Sequence, residues 1–426
     1  MLDRPLVKVE AGQYGYQRGL VAVSPGVGDG YLLAALELVH KDGPWVHPDD
    51  YKKLNGVFRW SRGEALSGLS VTGMFYDADW SSTDQIPERA VGDGRLTRFD
   101  AVDPTDGGKA RRASLSAEWQ AYDGENATRF SGFLLRNELN LWSNFTYVLD
   151  DPKNGDQFEQ EDRRWVLGFD GSRQWMHELA GRASELEFGG GMRHDSIGDV
   201  GLYATASRVR LSTTRRDEVG ETSLFLYGQN VYQWTPHVRS TVGLRGDYYL
   251  FDVSSNLLEN SGHRTAGLVS PKVGLVFGPF QRSELYVNAG LGFHSNDARG
   301  TTIRVDPKTG ARVDPVDPPV RGWGAEAGVR TLALQNVHTT FAFWGLGLDS
   351  ELLYVGDAGT TEASRPSERL GFEWSLDALP KRWLTLDVSW AYSRAHFTDD
   401  DPAGNRIPSS IEGVATAGVA VTGLRG

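Results

Sequence analysis

Glu284-Leu285-Tyr286-Val287-Asn288-Ala289-Gly290-Leu291-Gly292-Phe293-His294 alternates without a break. Leu285, Val287, Ala289, Leu291 and Phe293 make an apolar face, and the residues between them make a polar or small one. Successive side chains of an extended strand point to opposite sides, so period two predicts a strand with two unlike faces. The rule returns in Leu384, Leu386, Val388, Trp390 and Tyr392 against Thr385, Asp387, Ser389, Ala391 and Ser393. It returns again in Ala113, Leu115, Ala117, Trp119 and Ala121, and in Val238, Val242, Leu244, Tyr248 and Leu250. Each long segment holds about the 9–11 residues that cross a bilayer at a tilt.

A soluble antiparallel sandwich or propeller also alternates, with one face in a core. Two features favour a membrane. Globular strands cluster near about 5–6 residues, and these are longer. After the first, the connections also alternate between short and long, as short periplasmic turns and long outer loops do in an outer-membrane barrel. The short set includes Arg62-Gly63-Glu64, Asp123-Gly124-Glu125-Asn126, Thr235-Pro236-His237 and Leu379-Pro380-Lys381. The long set is read at 42–51, 79–109, 143–163, 197–219, 254–267, 295–321, 356–368 and 398–412. This reading yields about eighteen antiparallel strands, an even number, with 338–355 taken as one of them. Tyr232, Trp234, Trp374, Trp383 and Trp390 are read as interfacial girdle residues.

Composition narrows the function. The 426 residues contain no cysteine, which removes disulfides, thiolate metal sites and cysteine nucleophiles. A net charge of −12 argues against a nucleic-acid partner, which calls for a basic stripe. Mean hydropathy is −0.39, and no apolar run approaches the roughly 18 residues of a membrane helix. No enzyme signal survives. His177-Glu178 opens like a zinc-protease motif, but residue 181 is Gly where the second His would stand. Gly26-Val27-Gly28-Asp29-Gly30 reads as a hairpin turn and not as a phosphate loop.

The stretches between strands resemble those of one family. They include Val9-Glu10-Ala11-Gly12-Gln13-Tyr14-Gly15, Lys41-Asp42-Gly43-Pro44-Trp45-Val46-His47-Pro48-Asp49-Asp50 and Trp80-Ser81-Ser82-Thr83-Asp84-Gln85-Ile86-Pro87-Glu88-Arg89. Further on come Asp103-Pro104-Thr105-Asp106-Gly107-Gly108, Leu141-Trp142-Ser143-Asn144-Phe145-Thr146-Tyr147 and Gly292-Phe293-His294-Ser295-Asn296-Asp297-Ala298-Arg299-Gly300. The last are Asp349-Ser350-Glu351-Leu352 and Val355-Gly356-Asp357-Ala358-Gly359-Thr360-Thr361-Glu362. In order and at loop positions, they resemble the β-barrel domain of TonB-dependent outer-membrane receptors. The resemblance implies a plugged barrel of the 22-stranded kind. The whole chain, 1–426, is then expected to be one barrel domain, a fragment without signal peptide, TonB box, plug or closing strands. It also implies location in a bacterial outer membrane, among outer-membrane lipid and lipopolysaccharide, as a monomer. The function implied is uptake of a scarce nutrient such as a ferric siderophore, powered by the TonB complex through the plug, with no catalytic group. A passive porin-like channel and a soluble all-β ligand-binding protein are the rival readings.

Substrate contacts are expected from outer loops and the upper lumen, where aromatic and hydrogen-bonding side chains converge. Trp45, His47, Trp80, Asp84, Gln85, Arg89, His294, Asn296 and Arg299 stand there. The alternative for each is that it packs loop against loop. No cofactor is expected. The acidic run containing Asp150, Asp151, Asp156 and Glu159 offers oxygen ligands suited to a loop-bound Ca²⁺, or else is a solvated loop.

Overall fold

In the computed structural model, residues 2, 4–64, 66–355, 360–402 and 404–423 are described, with 352–355 and 360–363 by backbone alone. Gly356-Asp357-Ala358-Gly359, part of one family-like stretch, lies outside the described residues. The strands in chain order are β1 (Leu6–Ala11), β2 (Gln17–Val23), β3 (Gly26–Val27), β4 (Gly30–Lys41), β5 (Tyr51–Gly63), β6 (Gly68–Ser81) and β7 (Gly107–Tyr122). Then come β8 (Asn126–Ser143), β9 (Phe158–Leu179), β10 (Arg182–Ala206), β11 (Val209–Thr235), β12 (Val238–Ser255), β13 (Gly262–Phe280) and β14 (Ser283–Ser295). The remainder are β15 (Pro319–Thr331), β16 (Val337–Leu348), β17 (Leu352–Val355), β18 (Thr360–Ala363), β19 (Ser367–Lys381), β20 (Leu384–Phe397) and β21 (Gly413–Val421). Two one-turn helices, α1 (Glu88–Gly92) and α2 (Ala298–Thr302), sit in loops.

Among the described residues nineteen strands share one sheet, and β17 and β18 form a separate hairpin. Setting aside the two-residue β3, which makes the expected turn at Gly26–Gly30, eighteen strands remain, as the alternation predicts. Each pairs antiparallel with the next in a meander from β1 to β21. Connections therefore alternate between two ends. Loops 42–50, 82–106, 144–157, 296–318, 349–366 and 398–412 share one end, and turns such as 180–181, 236–237 and 281–282 share the other.

Each long strand keeps its two faces apart. On β12, Val242, Leu244, Tyr248 and Leu250 are exposed, while Asp247, Phe251 and Val253 on the opposite face are buried. On β14, Leu285, Val287 and Leu291 are exposed. Leaving one Leu in water forgoes roughly 1.5–3 kcal/mol, so such rows across many strands need an apolar medium around them. The described residues include no helix long and apolar enough to cross a membrane. At the short-turn end Tyr232 and Trp234 meet edge to face at 4.8 Å, and Trp234 and Trp383 are exposed.

Two expectations are corrected. Residues 197–219 are not a long loop: β10 and β11 run on to a two-residue turn at Ser207-Arg208, both with positive φ (50° and 64°). Register shifts at Ile197/Val200, Leu202/Tyr203 and Ala204/Thr205 reset which face each residue takes, and that destroys the period-two signal. Residues 338–355 are not one strand either: β16 ends at Leu348, and Leu352 opens the separate hairpin with β18.

Candidate functional site

Of the nine residues singled out from sequence, Trp80, Asp84 and Gln85 join one assembly at the long-loop end and Asn296 and Arg299 join another. The first lies where loops 82–106 and 144–157 meet the β10–β11 tip. Gln157, only 2% exposed, is its hub. Its Nε2 donates to Thr105 Oγ1 (2.7 Å), Asp106 Oδ1 (3.0 Å) and Asp103 Oδ2 (3.2 Å). Its Oε1 accepts from Arg208 N (2.8 Å) and Thr205 Oγ1 (3.0 Å). The Arg208 guanidinium donates to the Thr105, Asp106 and Trp80 carbonyls and lies 4.9 Å over the Trp142 ring. That web holds Arg208 in its left-handed conformation, a strain that needs outside support. Burial pushes the Asp106 carboxyl up to about 8; Gln157 opposes this, and neighbouring Asp103 and Asp84 add to it.

Trp80, Asp84 and Gln85 belong to this web. Asp84 Oδ2 accepts from Asn144 N (3.4 Å), and the Gln85 carbonyl accepts from the Tyr147 hydroxyl (2.5 Å). Trp45 packs on Phe99 with ring centroids 6.1 Å apart, binding loop 42–50 to loop 82–106. His47 and Arg89 are exposed. Here the Gln157, Arg208 and Asp84 side chains bond to neighbouring loops and fasten them.

The second assembly surrounds a cavity of about 330 Å³ on the polar face, walled by β9, β10, β11, β12 and the segment 295–299. Asp297 caps α2: its carboxylate accepts from Arg299 N (2.9 Å), Nε (3.0 Å) and Nη2 (2.6 Å). Burial pushes the Asp297 carboxyl up, but the charge and hydrogen bonds of Arg299 outweigh this and hold it below its ordinary range. Ala298 buries against Val200, Val219, Phe251 and Val253, an apolar knot that pins the segment to the wall. Asn296, 3% exposed, donates from Nδ2 to the Asp317 carbonyl (2.6 Å). Arg164 pairs with Asp162, and Arg193 Nε lies 2.7 Å from Asp195 Oδ2. Glu221 also lines the cavity and makes no hydrogen bond or ion pair among the described residues.

Asn296 and Arg299 thus stand in a cavity, while His294 turns to the Ser350 carbonyl (2.8 Å) and joins loop to loop. Arg164, Arg193, Asp195, Glu221 and Tyr249 were missed. The signal available was an Arg and an Asp two apart on the polar face, at 162/164, 193/195 and again at 245/247, where Arg245 Nη2 and Asp247 Oδ1 are 2.7 Å apart.

The acidic run does not converge. Asp156 accepts backbone N–H groups of Leu149 (2.6 Å), Asp151 (2.7 Å) and Asp150 (3.1 Å). Asp151 accepts from Lys153 N and Asn154 N at 3.0 Å. Glu159 is engaged elsewhere, with Arg210 Nε and Asn140 Nδ2 each at 2.6 Å. Among the described residues, His40, Asp42 and Asp50 form the cluster whose ligand atoms lie within 4.8 Å of one another; Lys52 Nζ already sits 2.8 Å from Asp50.

No curated protein sequence matches the chain significantly. Solved structures do match its fold. The ferric citrate transporter FecA superposes with a TM-score of 0.75 at 13% identity, covering 97% of this chain and 62% of that one. The ferric yersiniabactin uptake receptor FyuA from Yersinia pestis gives 0.70 at 12% identity, with 96% and 63% covered. The copper transporter OprC gives 0.70 at 13%, with 97% and 64% covered. The chain therefore spans less than two thirds of each, and the likeness is one of fold. A family model for the TonB-dependent receptor-like β-barrel matches residues 43–422. Nearly the whole meander, with both assemblies, falls inside that match, and the chain belongs to the family of TonB-dependent receptor β-barrels.

Proposed function

We propose that the chain forms the wall and outer binding surface of a bacterial outer-membrane receptor that takes up a scarce nutrient of the metal–chelate kind, such as a ferric siderophore. The observation that carries this is the pairing of exposed apolar rows with a polar cavity at the end where the large loops gather. TonB-dependent receptors are transporters and not enzymes, and the family is an outer-membrane one. Two of the similar structures are named for iron chelates and one for copper, so the fold itself selects no ligand.

In this reading the loops capture the ligand and the cavity orients it. Arg164, Arg193, Arg299, Asp195, Glu221 and Asp297 line about 330 Å³ together, which suits a polar ligand carrying both acceptors and donors. Energy would come from the TonB complex through a plug domain, with outer-membrane lipid and lipopolysaccharide around the wall. One copy suffices, and no step needs a cofactor or a bound Ca²⁺. The test is uptake of radiolabelled ferric chelates by cells with and without this gene, in the presence and absence of TonB. Uptake that needs both supports the proposal. Steady ion conductance in planar bilayers with no energy source, and no TonB dependence, would point instead to a passive channel.

A further inference from the structure

Between β13 and β14 both strands continue after their shared ladder stops. β13 stays paired with β12 up to Gly262, and β14 stays paired with β15 up to Ser295. Their mutual register runs only from Phe280↔Ser283 to Lys272↔Gly290. Beyond this fork, residues 262–271 and 291–295 have no partner strand on their facing edges among the described residues. Pro271 sits at the fork and brings no N–H. A Cβ added at Gly292 would meet nothing within 4 Å. What draws β14 aside is its continuation: α2 buries in the apolar knot, and Arg264 Nε of β13 donates to the Thr301 carbonyl at 3.2 Å.

Hollows lie on both sides of the wall here. The one on the apolar face, about 1370 Å³, is lined by Gly246, Val269, Val273, Leu291 and Trp323. The one on the polar face, about 470 Å³, includes Asn288 and Glu326. Both touch Lys272, Ala289, Gly290, Gly324 and Ala325, so the wall between them is thin and made largely of small residues. An adjoining apolar hollow of about 1410 Å³ shares Gly246 and Val269 and also reaches Arg321, an exposed cation with no ion-pair partner among the described residues.

We propose that this fork is a binding site for one outer-leaflet lipid. Its acyl chain lies in the apolar hollow, its ester and phosphate oxygens accept N–H groups of the open β13 edge, and Arg321 faces its phosphate. The fork opens within the apolar rows, since Val269 and Leu291 are 50% and 45% exposed on the face that continues into the lipid-facing surface. A backbone group left unpaired at the edge of the hydrocarbon is costly, and at that boundary, near the outer end of β15 where Arg321 stands, the ester and phosphate oxygens of a lipid are acceptors within reach. The proposal needs the membrane location but not the uptake reading, and it survives if no chelate is transported.

The test reconstitutes the full chain in phosphatidylethanolamine–phosphatidylglycerol vesicles with a trace of phosphatidylethanolamine bearing a diazirine on one acyl chain. Cross-links mapped by mass spectrometry should favour Val269, Leu291 and Trp323 over Phe75 and Leu115 by about tenfold. Gly246→Leu, where a Cβ meets nothing within 4 Å, should fill the hollow and bring the labelling down to the level of Phe75 and Leu115. Even labelling of the wall, or labelling that Gly246→Leu leaves unchanged, overturns the proposal. Independently, continuing the register would set Val269 opposite Phe293, so the pair Val269→Cys and Phe293→Cys should stay reduced in lipid. Rapid disulfide formation would show a closed seam. Loss of the label in native membranes to a co-purifying polypeptide would show a protein strand in place of lipid. Either result overturns the proposal.

Discussion

The two assemblies at the long-loop end are built from the same residue types and do different work. Around Gln157, donors and acceptors are matched to one another, and little is left to offer a ligand. Around Glu221, the charges line a cavity, and among the described residues that carboxylate makes no hydrogen bond or close ion pair. Residue type marks where polar chemistry gathers; satisfaction of the groups decides whether it fastens a loop or waits for a ligand.

The sharpest way to break this comparison is Gln157→Leu. It strands buried partners at Asp106, Thr205 and Arg208, each costing about 1–3 kcal/mol, so opening of loop 82–106 should rise about 100-fold or more. Hydrogen exchange of that loop reads the change, and unchanged exchange would show that the web holds nothing. Glu221→Gln should act in the opposite way. Affinity for the transported chelate should change about tenfold while the melting temperature stays put, and a shifted melt with unaltered affinity would make Glu221 structural.

A smaller effect separates the assemblies by pH. Asp106 is raised from 3.8 to about 8 in the folded chain, so the fold favours its protonated form. That contribution is fully present below 3.8 and is lost as pH rises towards about 8, after which it is flat. Protease nicking of loop 82–106 should therefore increase across this window and level off above it. Asp106→Asn should abolish the dependence, and a slope that persists in that variant would place its origin elsewhere.

The smallest effect concerns the acidic loop. Because Asp156 and Asp151 already serve backbone N–H groups, EDTA should leave the melting temperature unchanged, and Asp156→Ala should loosen loop 144–157 locally without moving that temperature. A melt that falls with EDTA and recovers with Ca²⁺ would reverse this reading.

Most of the fold was legible because a lipid-facing strand must repeat its choice at every second residue, and Leu285 to Phe293 does so in full. The reading failed at 197–219, where three register shifts scramble the faces while hydrogen bonding continues. It failed at Leu348 because the strand 337–348 and the hairpin strand 352–355 follow one another with only a short break. The site was half legible. Asn296 and Arg299 carry loop chemistry that sequence displays, but Arg193 and Glu221 are ordinary polar-face residues until three neighbouring strands and α2 enclose them. At Trp80, Asp84 and Gln85 the structure adds that a carbonyl or carboxylate is engaged by a neighbouring loop, which sequence does not display.

The membrane barrel requires one orientation of its apolar rows, and a chain without cysteine allows that orientation to be read directly. Single cysteines placed at 285–291 and spin-labelled in vesicles can be probed with oxygen, which concentrates in lipid, and with a water-soluble nickel chelate. Labels at 285, 287, 289 and 291 should respond to oxygen and those between them to nickel, in strict alternation. If the odd-numbered labels were shielded from both reagents, those rows would be packed against protein, and the membrane barrel with its outer site would have to be given up.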